Sequence, residues 1–185
     1  MLDRRAFLTL GAKAAAGIFA LQAVPTLAAV PSPGRVVKGT RNLAFYHTHT
    51  KECLDITYAR KGLYDPKALR QINRYLRDFR TSEVYPIDPE ILDILWQIQQ
   101  EIGCQSTYEI ISAYRSPQTN QTLRGKSNGV AKRSLHMQGQ AVDIRLTGKP
   151  SRIVRDCAVA LEAGGVGYYA QSNFVHLDTG KVRVW

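Results

Sequence analysis

The 185-residue sequence contains only three cysteines and has no internal repeat. Its 14 glycines and 8 prolines follow no fixed period, which excludes a collagen-like or low-complexity chain. Acidic residues are also scarce, with 15 Asp and Glu against 25 Lys and Arg, so the formal net charge is +10. Hydrophobic residues make up 44% of the chain and charged residues 22%, as in ordinary globular proteins. The composition therefore predicts one globular domain with a short segment attached at its start.

The cysteines are too widely separated for a metal or redox motif of the Cys-x-x-Cys type. They are Cys53, Cys104 and Cys157. An odd number allows at most one intramolecular disulfide and leaves one thiol over, and the sequence does not decide which residues would pair. Mixed apolar neighbours favour buried structural thiols at all three positions.

The first 29 residues resemble an export signal rather than a membrane span. The apolar segment Ala14–Ala29 is shorter than the roughly 20 residues that a spanning helix needs. Residues 1–29 combine the pair Arg4-Arg5, an apolar middle and a small-residue end, which predicts a twin-arginine signal and a periplasmic location. The twin-arginine export machinery is then a partner, nucleic acid is not expected in spite of the basic charge, and membrane contact is expected only if the signal stays uncleaved.

The rest of the chain divides into an arm and a domain. Residues 30–41 contain Pro31, Pro33 and Gly34 and predict a linker or N-terminal arm, so the domain is predicted to occupy residues 42–185. A β-hairpin is predicted over Leu43–Tyr58, turning at the polar stretch Thr48–Glu52.

Helix and strand signals are segregated along the domain. Asp-Pro pairs at residues 65–66 and 88–89 each predict a helix start, the first helix extending to Phe79 and the second closing near Gly103. A helical turn is predicted over Thr119–Arg124 and a helix from Pro150 that closes at the glycines 164–165. Strands are predicted at Tyr108–Ser112, Ala141–Leu146, Val166–Tyr169, Phe174–Asp178 and Val182–Trp185. Helices first and strands later predict an α+β fold with a mainly antiparallel sheet.

Three residues in the second half form a candidate metal site. His136 lies in a loop where Gly139 allows a sharp turn, and Asp143 follows seven residues later on a predicted strand. His176 lies on another predicted strand, on the same face as Phe174 and Asp178. Two histidines and a carboxylate are a common ligand set for catalytic zinc. The alternative is that both histidines are ordinary buried residues and that Asp143 is a paired acid.

The motifs around these residues resemble a family of zinc peptidases. Ser134–Asp143 fits the pattern Ser-x-His-x-x-Gly-x-Ala-x-Asp, and Ser112–Ser116 fits Ser-x-Tyr-Arg-Ser. Both are similar to motifs of the zinc peptidases that include lysostaphin, D-alanyl-D-alanine peptidases and the hedgehog domain. Three further segments resemble the exported murein endopeptidases of the YcbK (MepK) type: Gly129–Lys132, Gly164–Tyr169 and Asn173–Gly180. The resemblance implies a hedgehog and D-Ala-D-Ala-peptidase-like fold.

The resemblance also implies roles for individual residues. His136, Asp143 and His176 match the zinc ligands. Arg115 matches the arginine that pairs with a substrate carboxylate or a developing oxyanion. Ser134 is expected to bind substrate or to cap its loop, and Tyr114, within the same upstream motif as Arg115, is expected to contact substrate.

The general base is the point at which the chain departs from its relatives. Many of them carry an acid or a histidine at the positions of Asn173 and Phe174, and neither of these residues can accept a proton. Asp178 is the nearest carboxylate and is our candidate base; the alternative is that it supports His176 or the following turn. His49 could approach the site or lie on the surface, and Tyr168 and Tyr169 could line the cleft or belong to the packing.

The resemblance implies a zinc-dependent endopeptidase that hydrolyses peptide cross-links of peptidoglycan. The expected bond joins two meso-diaminopimelate residues, and links between D-alanine and diaminopimelate are a further option. Two alternatives remain open at this stage. One is a D,D- or L,D-carboxypeptidase that uses the same site, and the other is a non-catalytic wall-binding or protein-binding module with a structural zinc.

Overall fold

The computed structural model describes residues 39–127 and 129–185. The predicted export signal lies outside these residues, as does most of the predicted arm. Strand β1 begins at Thr40, so the last two residues of the predicted arm, Thr40 and Arg41, belong to the folded domain. In the part of the chain that the structure describes, no helix has both the length and the apolar character needed to cross a membrane.

The described residues form eight strands, four α-helices and one 3-10 turn. The strands are β1 (Thr40–His47), β2 (Cys53–Arg60), β3 (Leu63–Tyr64), β4 (Tyr108–Ser112), β5 (Ala141–Leu146), β6 (Gly165–Tyr169), β7 (Phe174–Asp178) and β8 (Arg183–Val184). The helices are α1 (Pro66–Tyr75), α2 (Pro89–Ile102), α3 (Pro117–Lys126) and α4 (Ser151–Leu161), and the 3-10 turn is Leu135–Gln138. The predicted hairpin is confirmed as β1 and β2, and β4, β5 and β7 have the predicted bounds.

All eight strands join one sheet in the order β3-β2-β1-β4-β5-β7-β6-β8. Five of the pairings between described strands are antiparallel, but β1 with β4 and β6 with β8 are parallel. The α+β class is confirmed, whereas a mainly antiparallel sheet is too simple a description of this mixed sheet. Strand β4 returns to β1 only after α1 and α2, and a crossover of that length is what a parallel pair requires.

Asp-Pro pairs start two of the helices as predicted. The Asp65 side chain accepts hydrogen bonds from the backbone of Lys67 and Ala68, and the Asp88 side chain accepts one from Glu90. Helix α1 ends at Tyr75, before the predicted Phe79, and Asp78 beyond it accepts hydrogen bonds from the backbone N–H and hydroxyl of Ser116. Helix α3 is longer than predicted because Ser116 caps it, and α4 ends at Leu161, before the predicted glycines, which leaves Gly165 to β6.

Apolar side chains between the sheet and the helices make up the core. The most deeply buried include Leu43, Phe45, Tyr58, Ile72, Ile91, Leu95, Tyr108, Ile110 and Ile144. The expectation of buried thiols is wrong for Cys53, which is exposed because it begins edge-proximal strand β2 beside the hairpin turn. Cys104 and Cys157 are half-buried, and all three thiols are free.

Candidate active site

Adjacent strands bring Asp143 and His176 together. Strands β5 and β7 pair antiparallel with Asp143 directly opposite His176, so neighbouring strands present both residues to one point. His136 reaches the same point from the 3-10 turn, which ends at Gly139 with a positive φ of 66°. A side chain at Gly139 would bring its Cβ to 2.0 Å from the carbonyl oxygen of Pro86, so the turn requires glycine.

One atom from each of the three residues points to a common centre. His136 Nε2 lies 3.2 Å from His176 Nδ1 and 3.2 Å from Asp143 Oδ1. His176 Nδ1 lies 2.8 Å from the same Asp143 oxygen. These are the separations expected of atoms that share one metal ion, and among the described residues this is the group that could hold one.

The other nitrogen of each imidazole ring is held by an oxygen atom. His136 Nδ1 lies 2.6 Å from the carbonyl oxygen of Ala113. His176 Nε2 lies 3.0 Å from Asp178 Oδ2. When these outer nitrogens carry the proton, the inner nitrogens are lone-pair donors, which is the usual arrangement of metal-binding histidines. The residues therefore fit a zinc ion.

Burial and charge set the protonation states of the site. Burial lowers the pKa of His136 more than the charge of Asp143 raises it. Burial acts to raise the pKa of Asp143, but the opposing interactions with His136, His176 and Arg115 are stronger and hold that pKa well below its usual range. These two shifts favour a neutral His136 imidazole and an ionised Asp143 carboxylate, the forms that bind metals. Burial also acts to lower the pKa of His176, but its hydrogen bonds and charge interactions with Asp143 and Asp178 outweigh burial and raise that pKa.

Arg115 is fixed beside Asp143 at the end of β4. Its Nε donates to Ser112 Oγ at 2.8 Å, and its Nη2 forms a short ion pair with Asp143 Oδ2, the oxygen that does not face the histidines. The backbone N–H of Arg115 also donates to the carbonyl of His136 at 3.1 Å. Arg115 therefore orients one candidate ligand, Asp143, and connects the upstream motif to the loop of another, His136.

Asp178 lies behind His176, fully buried. Arg183 donates to both of its oxygens, at 3.0 and 2.6 Å, and the backbone N–H of Gly180 donates at 2.9 Å. Burial acts to raise the pKa of Asp178, but the hydrogen bonds from His176 and Arg183 outweigh it and hold the pKa far below its usual range. This geometry favours the support of His176 over the role of general base.

The three candidate ligands line a cleft of about 430 Å³. Ser127, Gly129–Ala131 and Arg133–Leu135 line one part of it; Arg115, Asp178 and Arg183 also line it. Ser134 makes no side-chain cap on the 3-10 turn, so the alternative of a loop-capping serine gains no support.

Several residues singled out from the sequence lie away from the cleft wall. The Tyr114 hydroxyl donates to Glu83 at 2.5 Å, and its ring stacks on Tyr85. The His49 ring stacks on Phe79 with centroids 4.2 Å apart. Tyr169 lines the cleft, whereas Tyr168 does not and packs under Arg155. Substrate contact by Tyr114 stays a prediction.

Arg133, Arg183 and Trp185 are cleft residues that sequence reasoning missed. Arg183 had one available signal, because it follows Asp178 by five residues across a predicted Asp-Thr-Gly turn, so the two side chains could meet. No periodic pattern points to Trp185, because it follows β8, a strand of only two residues.

Comparison with known proteins places this site in a family. The family model described as peptidoglycan L,D-endopeptidase MepK, of the M15 peptidases, matches residues 35–185. The chain belongs to this family. It is therefore a peptidoglycan endopeptidase. The candidate metal ligands His136, Asp143 and His176 lie within the matched range.

Curated members of the family match over nearly the whole chain. The peptidoglycan L,D-endopeptidase MepK of Escherichia coli K12 is 37% identical over 183 residues, covering 99% of this chain and 97% of its own length. The probable peptidoglycan L,D-endopeptidase MepK of Haemophilus influenzae is 36% identical over 184 residues, covering 99% of this chain and 95% of its own. No solved structure matches the chain.

Proposed function

We propose that this endopeptidase depends on zinc and hydrolyses the cross-link between two meso-diaminopimelate residues of peptidoglycan. The convergence of His136 Nε2, Asp143 Oδ1 and His176 Nδ1 carries the proposal, because each pair of these atoms lies only 2.8–3.2 Å apart. The cross-link is an L,D bond, in agreement with the names of the relatives.

Zinc is the metal that best suits this ligand set. Two imidazole nitrogens and one carboxylate oxygen leave a fourth tetrahedral position for water or substrate, as in catalytic zinc sites. When bound, zinc would polarise the peptide carbonyl and lower the pKa of a water molecule. The protein's own contribution is to hold the three ligands in place, with the pKa shifts of His136 and Asp143 favouring their metal-binding forms.

Arg115 supplies positive charge next to the metal ligands. Its Nε and Nη2 are engaged by Ser112 and Asp143, and the side chain still lines the cleft. A guanidinium held in this way can donate to an oxygen of the substrate without first having to be ordered. We infer that Arg115 both orients Asp143 and stabilises negative charge that develops on the scissile carbonyl, with the Ser134 hydroxyl as a further substrate contact.

Asp178 is proposed as a positioning residue. Its Oδ2 accepts from His176 Nε2, which keeps Nδ1 available to the metal, and Arg183 compensates its charge. Among the described residues, the carboxylates that line the cleft are Asp143 and Asp178, and both are fully engaged in these contacts. Asp178 therefore does not replace the general base that relatives carry at the positions of Asn173 and Phe174.

Export is a separate part of the proposal. Peptidoglycan lies outside the cytoplasm, and residues 1–29 carry the Arg4-Arg5 pair of a twin-arginine signal. We propose a periplasmic enzyme, with the stem peptides of the wall as its substrate. Replacing both arginines with lysine would abolish export if this signal is used, and cell fractionation measures the result.

Digestion of defined muropeptides tests the catalytic proposal. The purified chain should convert dimers joined through two diaminopimelate residues into monomers, and a chelator should stop the reaction. His176→Ala should be inactive, whereas His49→Ala, which changes a histidine outside the cleft, should retain activity. Removal of terminal D-alanine with intact dimers would instead show a carboxypeptidase. Stoichiometric zinc with no cleavage at all would show a binding module.

A further inference from the structure

One side of the cleft is made of aromatic rings. Tyr169, Phe174 and Trp185 all line it, and we call these three residues the aromatic wall. The rings of Tyr169 and Phe174 stack with centroids 4.5 Å apart, and Trp185 Nε1 donates to the Tyr169 hydroxyl at 3.1 Å. The wall adjoins the metal ligands, because the Trp185 ring lies 5.3 Å from the ring of His176.

Trp185 is held in place by its backbone and by a glycine. Its N–H donates to the carbonyl of Val166 at 3.2 Å, and its carbonyl accepts from the N–H of Tyr168 at 3.0 Å. Gly167, between these two residues, pairs with His176 across β6 and β7. A Cβ on Gly167 would lie 2.7 Å from Cε2 of the indole, so the ring occupies the space that a side chain would take.

A tryptophan fixed this firmly would normally be covered, yet 49% of Trp185 is exposed. Large aromatic side chains contribute mainly by burying their surface. The exposed part of this indole lies in the cleft, beside the candidate metal ligand His176, where a bound substrate can bury it. Because the ring is already ordered, binding would cost little side-chain entropy.

The chemistry beside Trp185 indicates what it contacts. The Arg183 guanidinium lies 4.8 Å from the indole centroid and is partly exposed, while its inner side pairs with Asp178. The wall thus offers an apolar surface next to a positive charge. An aliphatic chain that ends in a carboxylate satisfies both, and diaminopimelate is such a residue.

We propose that Trp185 is a substrate-binding residue of this endopeptidase, and that its indole packs against the aliphatic chain of a diaminopimelate residue at the cleaved cross-link. The identity of that residue rests on the function proposed above. The placement of Trp185 in the cleft does not depend on it.

Kinetics on the diaminopimelate-linked dimer distinguish binding from support of His176. Trp185→Ala should raise KM on the order of tenfold with kcat little changed, and Trp185→Phe should restore most of the loss. Trp96→Phe, which changes the other tryptophan of the chain, is the matched control and should leave both constants unchanged. A fall in kcat and in zinc affinity with unchanged KM would show that the indole only braces His176, and would overturn the proposal.

Fluorescence provides a readout that does not depend on turnover. In the Trp96→Phe variant, Trp185 is the only tryptophan. Titration of the zinc-loaded variant with the product, a disaccharide tripeptide ending in diaminopimelate, should change the Trp185 emission saturably. A constant emission at product concentrations that inhibit the enzyme would refute the contact.

A double-mutant cycle tests how the indole is seated. Gly167→Ala should displace the ring and raise KM as Trp185→Ala does, and the double variant should be no worse than either single variant. Additive losses would show that Gly167 acts elsewhere, and thermal unfolding of each variant separates a folding defect from lost binding.

If the unmutated chain cleaves no dimer, the proposed function fails; if it does and Trp185→Ala keeps its KM, only this inference fails.

Discussion

Asp178 Oδ2 lies 3.0 Å from His176 Nε2, on the opposite side of the imidazole ring from the nitrogen that faces His136 and Asp143. This carboxylate thus contacts a candidate metal ligand from behind, while Arg183 and the backbone N–H groups of Gly165 and Gly180 also donate to it. Carboxylate–histidine–metal chains of this kind orient the ring and raise its basicity.

The first prediction follows from this contact. Asp178→Asn should lower zinc affinity about 10-fold to 100-fold, because the amide is a weaker acceptor for the His176 N–H. Competition with a chelator of known affinity measures the change, and Asp156→Asn, an exposed acid on α4, is the control. Unchanged zinc affinity together with lost turnover would instead support Asp178 as the general base.

Replacing Arg115 should lower the activity even when the positive charge is kept. Arg115→Lys keeps the charge but loses the fork that joins Ser112 to Asp143. We expect kcat to fall on the order of 100-fold, as determined by steady-state hydrolysis of the dimer. Arg124→Lys, in an exposed position of α3, should have no effect. Equal activity of the two variants would remove Arg115 from the mechanism.

Two glycines with similar backbone angles should respond differently to alanine. Gly139 and Gly148 have φ of 66° and 75°, but only Gly139 has a neighbour, the Pro86 carbonyl, within 4 Å of an added Cβ. Gly148→Ala should cost about 1–2 kcal/mol of unfolding free energy from backbone strain alone. Gly139→Ala should cost about 2–4 kcal/mol, since the clash adds to that strain. Urea unfolding measures both, and equal losses would contradict the close approach seen here.

His47 should make the fold less stable in mild acid. The side chain is buried, and its Nδ1 accepts from the backbone N–H groups of His49 and Thr50 at 3.2 and 3.4 Å. Burial, followed by the charges of His49 and Arg77, lowers the pKa of His47 from 6.5 to about 4, against a smaller opposing effect of Glu52.

The unfolded chain therefore binds a proton at His47 below pH 6.5 that the folded chain accepts only near pH 4. The stabilisation is complete above pH 6.5 and falls as the pH drops toward 4. Between pH 7.5 and 5 the loss should be about 2 kcal/mol, and His47→Gln should remove this part of the decline. Parallel pH curves for the variant and the unmutated chain would disprove the assignment.

Local signals were sufficient to predict most elements of the fold. The Asp-Pro pairs start α1 and α2, and two-residue alternation defines β5 and β7, because these features act within a few residues. The parallel pairing of β1 with β4 could not be predicted in this way, because it depends on where the chain returns after two helices. The two-residue strand β3 is too short for any periodicity, and β8 was predicted but is shorter than the expected Val182–Trp185.

In the candidate site too, some features could be predicted from local sequence and others depend on the tertiary fold. Spacing and strand alternation made His136, Asp143 and His176 candidate metal ligands, and the resemblance to zinc peptidases favoured this over ordinary buried residues; the structure groups the three. The sequence could not decide whether Asp178 is a general base or supports His176. That choice depends on the position of Arg183, which only the structure gives. Trp185 could not be assigned from sequence, since its place beside His176 arises from the space at Gly167 and the parallel pairing of β8 with β6.

Asp88 joins the first half of the domain to the second with the two oxygens of one carboxylate. Its Oδ1 caps α2 through Glu90, and its Oδ2 accepts from the Thr179 hydroxyl, 91 residues later and next to Asp178. This hydrogen bond links the first turn of α2 to the residue that directly follows the strand carrying His176. Zinc binding at the site should slow amide hydrogen exchange in that helical turn as well, so the helix reports the occupancy of a metal that it never contacts.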